Sequence, residues 1–153
     1  MLINLNNLNK HGFIFHIYNP HDLVSSDDAK TVKNFKDYIN NIINIPNENL
    51  YADFDTISPN QGIDLHYHVI PGSFQVVVWL PDYDFEGRHF LYGSPDEVLE
   101  FKPSLGHMCF MKPNDPKFIH GVSTLKSSKP VRSLGLSSLV KPFEEGMTYD
   151  IYV

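Results

Sequence analysis

Residues 62–82 read GIDLHYHVIPGSFQVVVWLPD. Two β-favouring segments, Gly62 to Ile70 and Ser73 to Leu80, are separated by the turn-forming pair Pro71-Gly72 and closed by Pro81-Asp82. On an extended chain the side chains at i, i+2 and i+4 share a face, so Asp64, His66 and His68 point the same way. The same alternation recurs on both sides of this stretch. Leu50 to Ile57 precedes it, and His89 to Tyr92, Val98 to Phe101, Gly106 to Met111, Phe118 to Leu125 and Val131 to Val140 follow, punctuated by Gly93-Ser94-Pro95, Pro103, Pro113-Asn114-Asp115-Pro116 and Lys129-Pro130. About eight short strands at roughly 8–12 residue spacing predict a β-sandwich or jelly roll.

Upstream of Pro46 the pattern differs. Gly12 to Asn19, GFIFHIYN, reads as a strand stopped by Asn19-Pro20. Ser25, Ser26, Asp27 and Asp28 then offer capping oxygens and negative charge, and Val32, Phe35, Ile39, Ile42 and Ile43 recur at helical spacing. One helix over about residues 28–44, packed outside the sheets, is expected.

Composition narrows the function classes. The 153 residues carry 12 Lys plus Arg against 18 Asp plus Glu, a formal charge of -6, which argues against the basic surface that duplex nucleic acid requires. With 42% hydrophobic and 20% charged residues the chain is too apolar to be disordered. Its longest apolar run, Val76 to Leu80, is far below the ~20 residues of a membrane span, and the N-terminus lacks the apolar core of a secretory signal. These features, with the single Cys109, lead to the expectation of a soluble cytoplasmic protein in a reducing compartment. Nothing resembles a Gly-x-Ser-x-Gly elbow or a phosphate-cradling glycine loop, and no Cys-His-Asn pattern surrounds Cys109, which reads as a small core residue.

The histidines carry the chemistry. Same-face imidazoles at 66 and 68 are a chelating arrangement, and neutral imidazole suits iron, zinc, copper and nickel. His120 opens HGVSTL after a proline-rich loop, and Arg132 lies in VRSLGL on the last long β segment, where it shares a face with Leu134 and Leu136. A jelly roll brings such distant positions together.

From Gly62 to about Leu139 the chain resembles the iron(II)/2-oxoglutarate-dependent oxygenases, especially the small prolyl-hydroxylase-like branch of the double-stranded β-helix superfamily. The resemblance lies in the order of several elements: His66-Tyr67-His68, the strand ending VVVWLPD, the turn FEGRHF, Pro103-x-x-Gly106 running into Phe110, His120 followed by Gly-Val, and a basic residue on the next strand. It implies a mainly β double-stranded β-helix (jelly roll) with an N-terminal strand and one packed helix. One domain would span 1–153, with 1–61 as support and 62–140 as barrel core. It further implies His66 and His120 as metal ligands and Arg132 as the partner of the terminal carboxylate of 2-oxoglutarate, a role suited to a permanently charged, bidentate guanidinium.

Three departures stand out. Histidine occupies position 68, where the family has a carboxylate, so the implied ligand set is His66, His68 and His120, with Asp64 as a fallback ligand or as a partner orienting an imidazole. Arg132 follows the distal histidine two positions later than is typical, and Leu134 stands where a serine is common. The cupin pattern fits less well: Gln75 is the first side chain resembling its glutamate, and His107 rather than His120 follows Pro103-x-x-Gly106 directly. Arg88, Tyr67 and Tyr92 are candidates for the substrate pocket, whereas Trp79 and His107 read as interior residues.

The expected function is therefore an oxygenase using iron(II) and 2-oxoglutarate to hydroxylate a small molecule or a peptide side chain. The chain's shortness is consistent with an open site, or with one completed by a second subunit of a homo-oligomer. Two alternatives remain at this point: a non-enzymatic metal- or ligand-binding jelly roll, and a three-histidine cupin-type dioxygenase that does not use 2-oxoglutarate.

Overall fold

Asparagine and proline do more at residues 19 and 20 than end a strand. Asn19 Oδ1 accepts a hydrogen bond from the His21 amide at 3.1 Å, and Pro20 occupies the first helical position, where its missing N–H costs nothing. The result is a four-residue helix, α1 (Pro20–Leu23), that the sequence reading treated only as a stop. The structure, a computed structural model, describes residues 13–43, 50–68, 72–80, 90–94, 97–102, 104–111, 118–139 and 150–152.

The long helix α2 (Asp28–Ile43) starts where expected. Asp27 Oδ1 accepts from the Ala29 amide at 3.0 Å, and the Thr31 hydroxyl exchanges hydrogen bonds with the backbone of Ser25. Ten strands complete the described structure: β1 (Phe13–Ile17), β2 (Leu50–Ile57), β3 (Ile63–His68), β4 (Gly72–Trp79), β5 (Phe90–Ser94), β6 (Glu97–Phe101), β7 (His107–Met111), β8 (Ile119–Val122), β9 (Val131–Leu139) and β10 (Asp150–Tyr152). All but β10 fall on segments that the alternation marks. No helix among the described residues is long and apolar enough to cross a membrane.

Two five-stranded antiparallel sheets form, with orders β1-β7-β4-β9-β2 and β10-β3-β8-β5-β6. From β2 to β9 the chain passes repeatedly between the sheets, as the predicted jelly roll requires. Both faces of the first sheet are covered. Its outer face carries Val76, Val78, Met108, Phe110, Leu134 and Leu136, all buried against Phe35, Ile39 and Ile42 of α2. The opposite face carries Trp79, Cys109 and Met111, packed with Phe13, Val77 and Phe118. That second face looks toward the other sheet, because Ile57 and Val131 of the first sheet join Leu125 and Ile63 of β3 in one cluster.

Candidate metal centre

Ile63 fixes the direction of the neighbouring side chains. It packs inward and pairs with Val122, so Val122 and, two residues earlier, His120 also face the first sheet. Strict alternation along β3 would then turn His66 outward. A register irregularity between Ile63 and His66 corrects this and brings His66 directly across from His120. The two imidazoles are buried, at 5% and 6% exposure, with ring centroids 4.4 Å apart.

Glycine makes this approach feasible. A Cβ on Gly121 would lie 2.7 Å from the Ile63 carbonyl oxygen, and one on Gly62 would lie 2.8 Å from that of Val122. β3 and β8 are therefore drawn together where the histidines meet, with backbone oxygen filling the space a side chain would need. The Gly after His120, read in the sequence only as part of a motif, has this steric reason.

His66 is also held in one tautomer. Its Nδ1–H donates to the Asp64 carbonyl oxygen at 2.7 Å, which puts the ring lone pair on Nε2. Asp64 thus orients an imidazole, but through its backbone. Its side chain is exposed, and the irregularity in β3 removes it from the face it was expected to share with His66, so the fallback ligand reading is corrected. His68 lies on the same face of β3 as His66, at the register position opposite Asp150; its side chain is outside what the structure describes. Among the described residues no three His, Cys, Asp or Glu side chains gather around one point. The chemistry of the described pair nevertheless fits iron(II): two adjacent neutral imidazoles, one with its tautomer set by a backbone carbonyl.

Arg132 is elsewhere. It shares a face with Leu134 and Leu136, as expected, but that face is the one covered by α2 rather than the one between the sheets. Its guanidinium donates from Nη1 to Asp28 Oδ1 at 3.0 Å and from Nη2 to Asp28 Oδ2 at 2.6 Å, and lies 4.0 Å from the centre of the Phe54 ring. The side chain is 42% exposed. The expectation that Arg132 partners the terminal carboxylate of 2-oxoglutarate is therefore corrected: strand β9 has two buried faces, and alternation alone does not say which one faces the other sheet. The inner positions of β9 are Val131, Ser133, Gly135 and Ser137, all uncharged. The other described basic residues are Lys30, Lys33 and Lys36 on α2 and Lys102, Lys126 and Lys129 in loops. Among the described residues, the inner face does not fit the terminal carboxylate of 2-oxoglutarate.

The hydrogen bond from Arg132 holds the Asp28 carboxyl below its ordinary value. A depressed carboxylate contributes its stabilisation above the unfolded-state pKa of about 3.9 and loses it as pH falls through the lower folded value. Since the pair is exposed, its effect is small. Arg132→Leu is accordingly expected to lower the melting temperature slightly at pH 7, with the difference shrinking in acid, and to leave metal affinity unchanged. Thermal melts at pH 7 and pH 3, with a Mn(II) titration, check this.

The remaining candidates divide. Tyr92 is directly across from His120 in the register of β5 and β8; its side chain is outside what the structure describes. Tyr67 alternates with His66 and lies on the outer face of the second sheet, which corrects its placement in the pocket. Arg88 lies outside the described residues. His107 is half-buried on β7, 3.2 Å from Ser104 Oγ, and Cys109 is a buried thiol pushed up by its burial. The sequence brings in Gln75 only as a poor match to the cupin glutamate. Its Nε2 lies 3.4 Å from the position of a Cβ on Gly135, and its Oε1 is buried with no hydrogen-bond partner among the described residues. This places a polar amide on the inner face of the first sheet; only its parity with Trp79 on β4 could have revealed it.

No protein-family model and no curated protein sequence matches the chain. Solved structures do. A prolyl-4-hydroxylase from Pseudomonas putida aligns over 90% of this chain and 93% of its own, with a TM-score of 0.61 and 13% identity. The fold is a double-stranded β-helix. A Trichoplax adhaerens prolyl hydroxylase, solved with a hypoxia inducible factor peptide fragment, aligns over 88% of this chain and 86% of its own, with a TM-score of 0.64 and 12% identity. EvdO2 from Micromonospora carbonacea var. aurantiaca, solved with 2-oxoglutarate, covers 89% and 70% with a TM-score of 0.52 and 13% identity. At these identities the likeness is one of fold, and it agrees with the double-stranded β-helix that the sequence order implied.

Proposed function

We propose that this chain, as a single double-stranded β-helix domain, is an iron(II)-dependent oxygenase that hydroxylates a small molecule or a peptide side chain. The observation that carries the reading is the buried His66–His120 pair, with the His66 ring oriented by the Asp64 carbonyl, on the inner face of a fold shared with prolyl hydroxylases. His66 and His120 would hold the ion, with His68 as a further imidazole. Bound iron(II) supplies the activation of molecular oxygen. The chain's own part is positional. The Asp64 carbonyl fixes the His66 ring, Gly121 permits the close approach of β3 and β8, and the buried residues between the sheets exclude water around the donors. Tyr92 stands at the register position where it can border a substrate.

The structural likeness supports 2-oxoglutarate as cosubstrate, since EvdO2 was solved with it bound, but Arg132 has no part in holding it. A second reading, an oxygenase that works without 2-oxoglutarate, is favoured by the uncharged inner positions of β9. One experiment separates them. Protein loaded anaerobically with iron(II) is exposed to oxygen with and without 2-oxoglutarate, and oxygen uptake and succinate are measured. Uptake with succinate formation only when 2-oxoglutarate is present supports the first reading, and equal uptake without it the second. No iron binding overturns the oxygenase proposal.

A further inference from the structure

The three implied ligands at 66, 68 and 120 are all imidazoles, which leave the charge of a divalent cation uncompensated in a buried site. The sequence reading looked for the missing carboxylate at Asp64, whose side chain is exposed. Asp53 and Asp55 on the edge strand β2 are exposed as well. The strand that the sequence reading missed supplies another. β10 pairs with β3 so that Asp150 is directly across from His68, Ile151 from Tyr67 and Tyr152 from His66.

Residues directly across an antiparallel pair share a face, with Cβ atoms about 4.5–5.5 Å apart, and diagonal neighbours are about 7–8 Å apart. His66 is in turn directly across from His120. The register therefore sets Asp150 and His68 in one row and Tyr152, His66, His120 and Tyr92 in the next, across β10, β3, β8 and β5. Among the described acidic residues, Asp150 alone is directly across from a member of the His-x-His segment.

We propose that Asp150 supplies the carboxylate ligand of the metal centre, a position 82 residues downstream of the histidine that stands in the usual carboxylate place. The inference rests on the metal-site reading above. A carboxylate from β10 restores a mixed histidine–carboxylate donor set suited to iron(II) or manganese(II), and it makes docking of β10 onto β3 part of metal binding.

The test is Mn(II) binding, followed by calorimetry and by the electron paramagnetic resonance signal of free Mn(II), with circular dichroism reporting the fold. Asp150→Asn is expected to weaken Mn(II) binding about 100-fold or more, beyond the roughly 10–100-fold seen when groups supporting a metal site are removed, while Asp55→Asn on the exposed edge of β2 leaves it unchanged. The pair Asp150→Glu and Asp150→Gln repeats the comparison at equal side-chain length, so that a fold defect in one variant does not decide the result; the Glu variant is expected to bind tighter than the Gln variant. Wild-type affinity in Asp150→Asn, or equal affinity in the Glu and Gln variants, together with loss of binding in His120→Ala, overturns the role of Asp150 and leaves the histidine site standing. Failure of the wild type to bind Mn(II) overturns both.

Discussion

Gly121→Ala is expected to cost about 1–3 kcal/mol, the usual penalty for forcing extra atoms into packed structure, and to weaken metal binding at the same time. The new Cβ would lie 2.7 Å from the Ile63 carbonyl oxygen and 3.1 Å from that of Asp64. Both are backbone atoms, so a side-chain rotation cannot relieve the clash, and β3 must move away from β8. That movement separates His66 from His120 and pulls on the carbonyl that fixes the His66 tautomer. Gly135→Ala is the contrast: its nearest neighbour is the Gln75 amide nitrogen at 3.4 Å, on a flexible side chain. Urea denaturation and Mn(II) titration of both variants should show Gly121→Ala impaired in each measurement and Gly135→Ala close to wild type. Wild-type behaviour of Gly121→Ala would mean that the close strand approach is not what holds the histidines together.

His120→Ala is expected to lower metal affinity by about 100-fold or more, beyond the roughly 10–100-fold effect of supporting groups, while the protein remains folded. The substitution removes a buried ring that lies beside the His66 ring, at the register position across from Tyr92 of β5. His107→Ala is the control, since that ring is on β7 beside Ser104. Equal losses in the two variants would point to a general effect on the barrel rather than to a ligand.

Much of the fold is visible in the sequence because its causes are local. Period-two alternation between Pro and Gly turns marks β2 to β9, and the capping oxygens before Asp28 with apolar residues at helical spacing mark α2. β10 escaped because its three residues are too few to show a period. The site was half legible. His66 and His120 could be paired through the order of motif elements, but the irregularity in β3 that aims His66 inward leaves no trace in residue types, and it is what removes Asp64 from the ligand face. Arg132 shows a different limit. Its alternation with Leu134 and Leu136 was read correctly, yet the helix buries the outer face of β9 as thoroughly as the second sheet buries the inner one. Apolar neighbours therefore identified a covered face without saying what covered it, and Asp28, 104 positions away, became the partner of the guanidinium.

The claim that His66 and His120 form a metal centre is tested most directly by anomalous X-ray scattering from crystals grown anaerobically with Mn(II). The account predicts one strong manganese peak between the two sheets, about 2.0–2.2 Å from a nitrogen of each of the two imidazoles, the bond length that imidazole ligands typically give. A map with no peak at that position, or with manganese bound only at surface carboxylates, would contradict it.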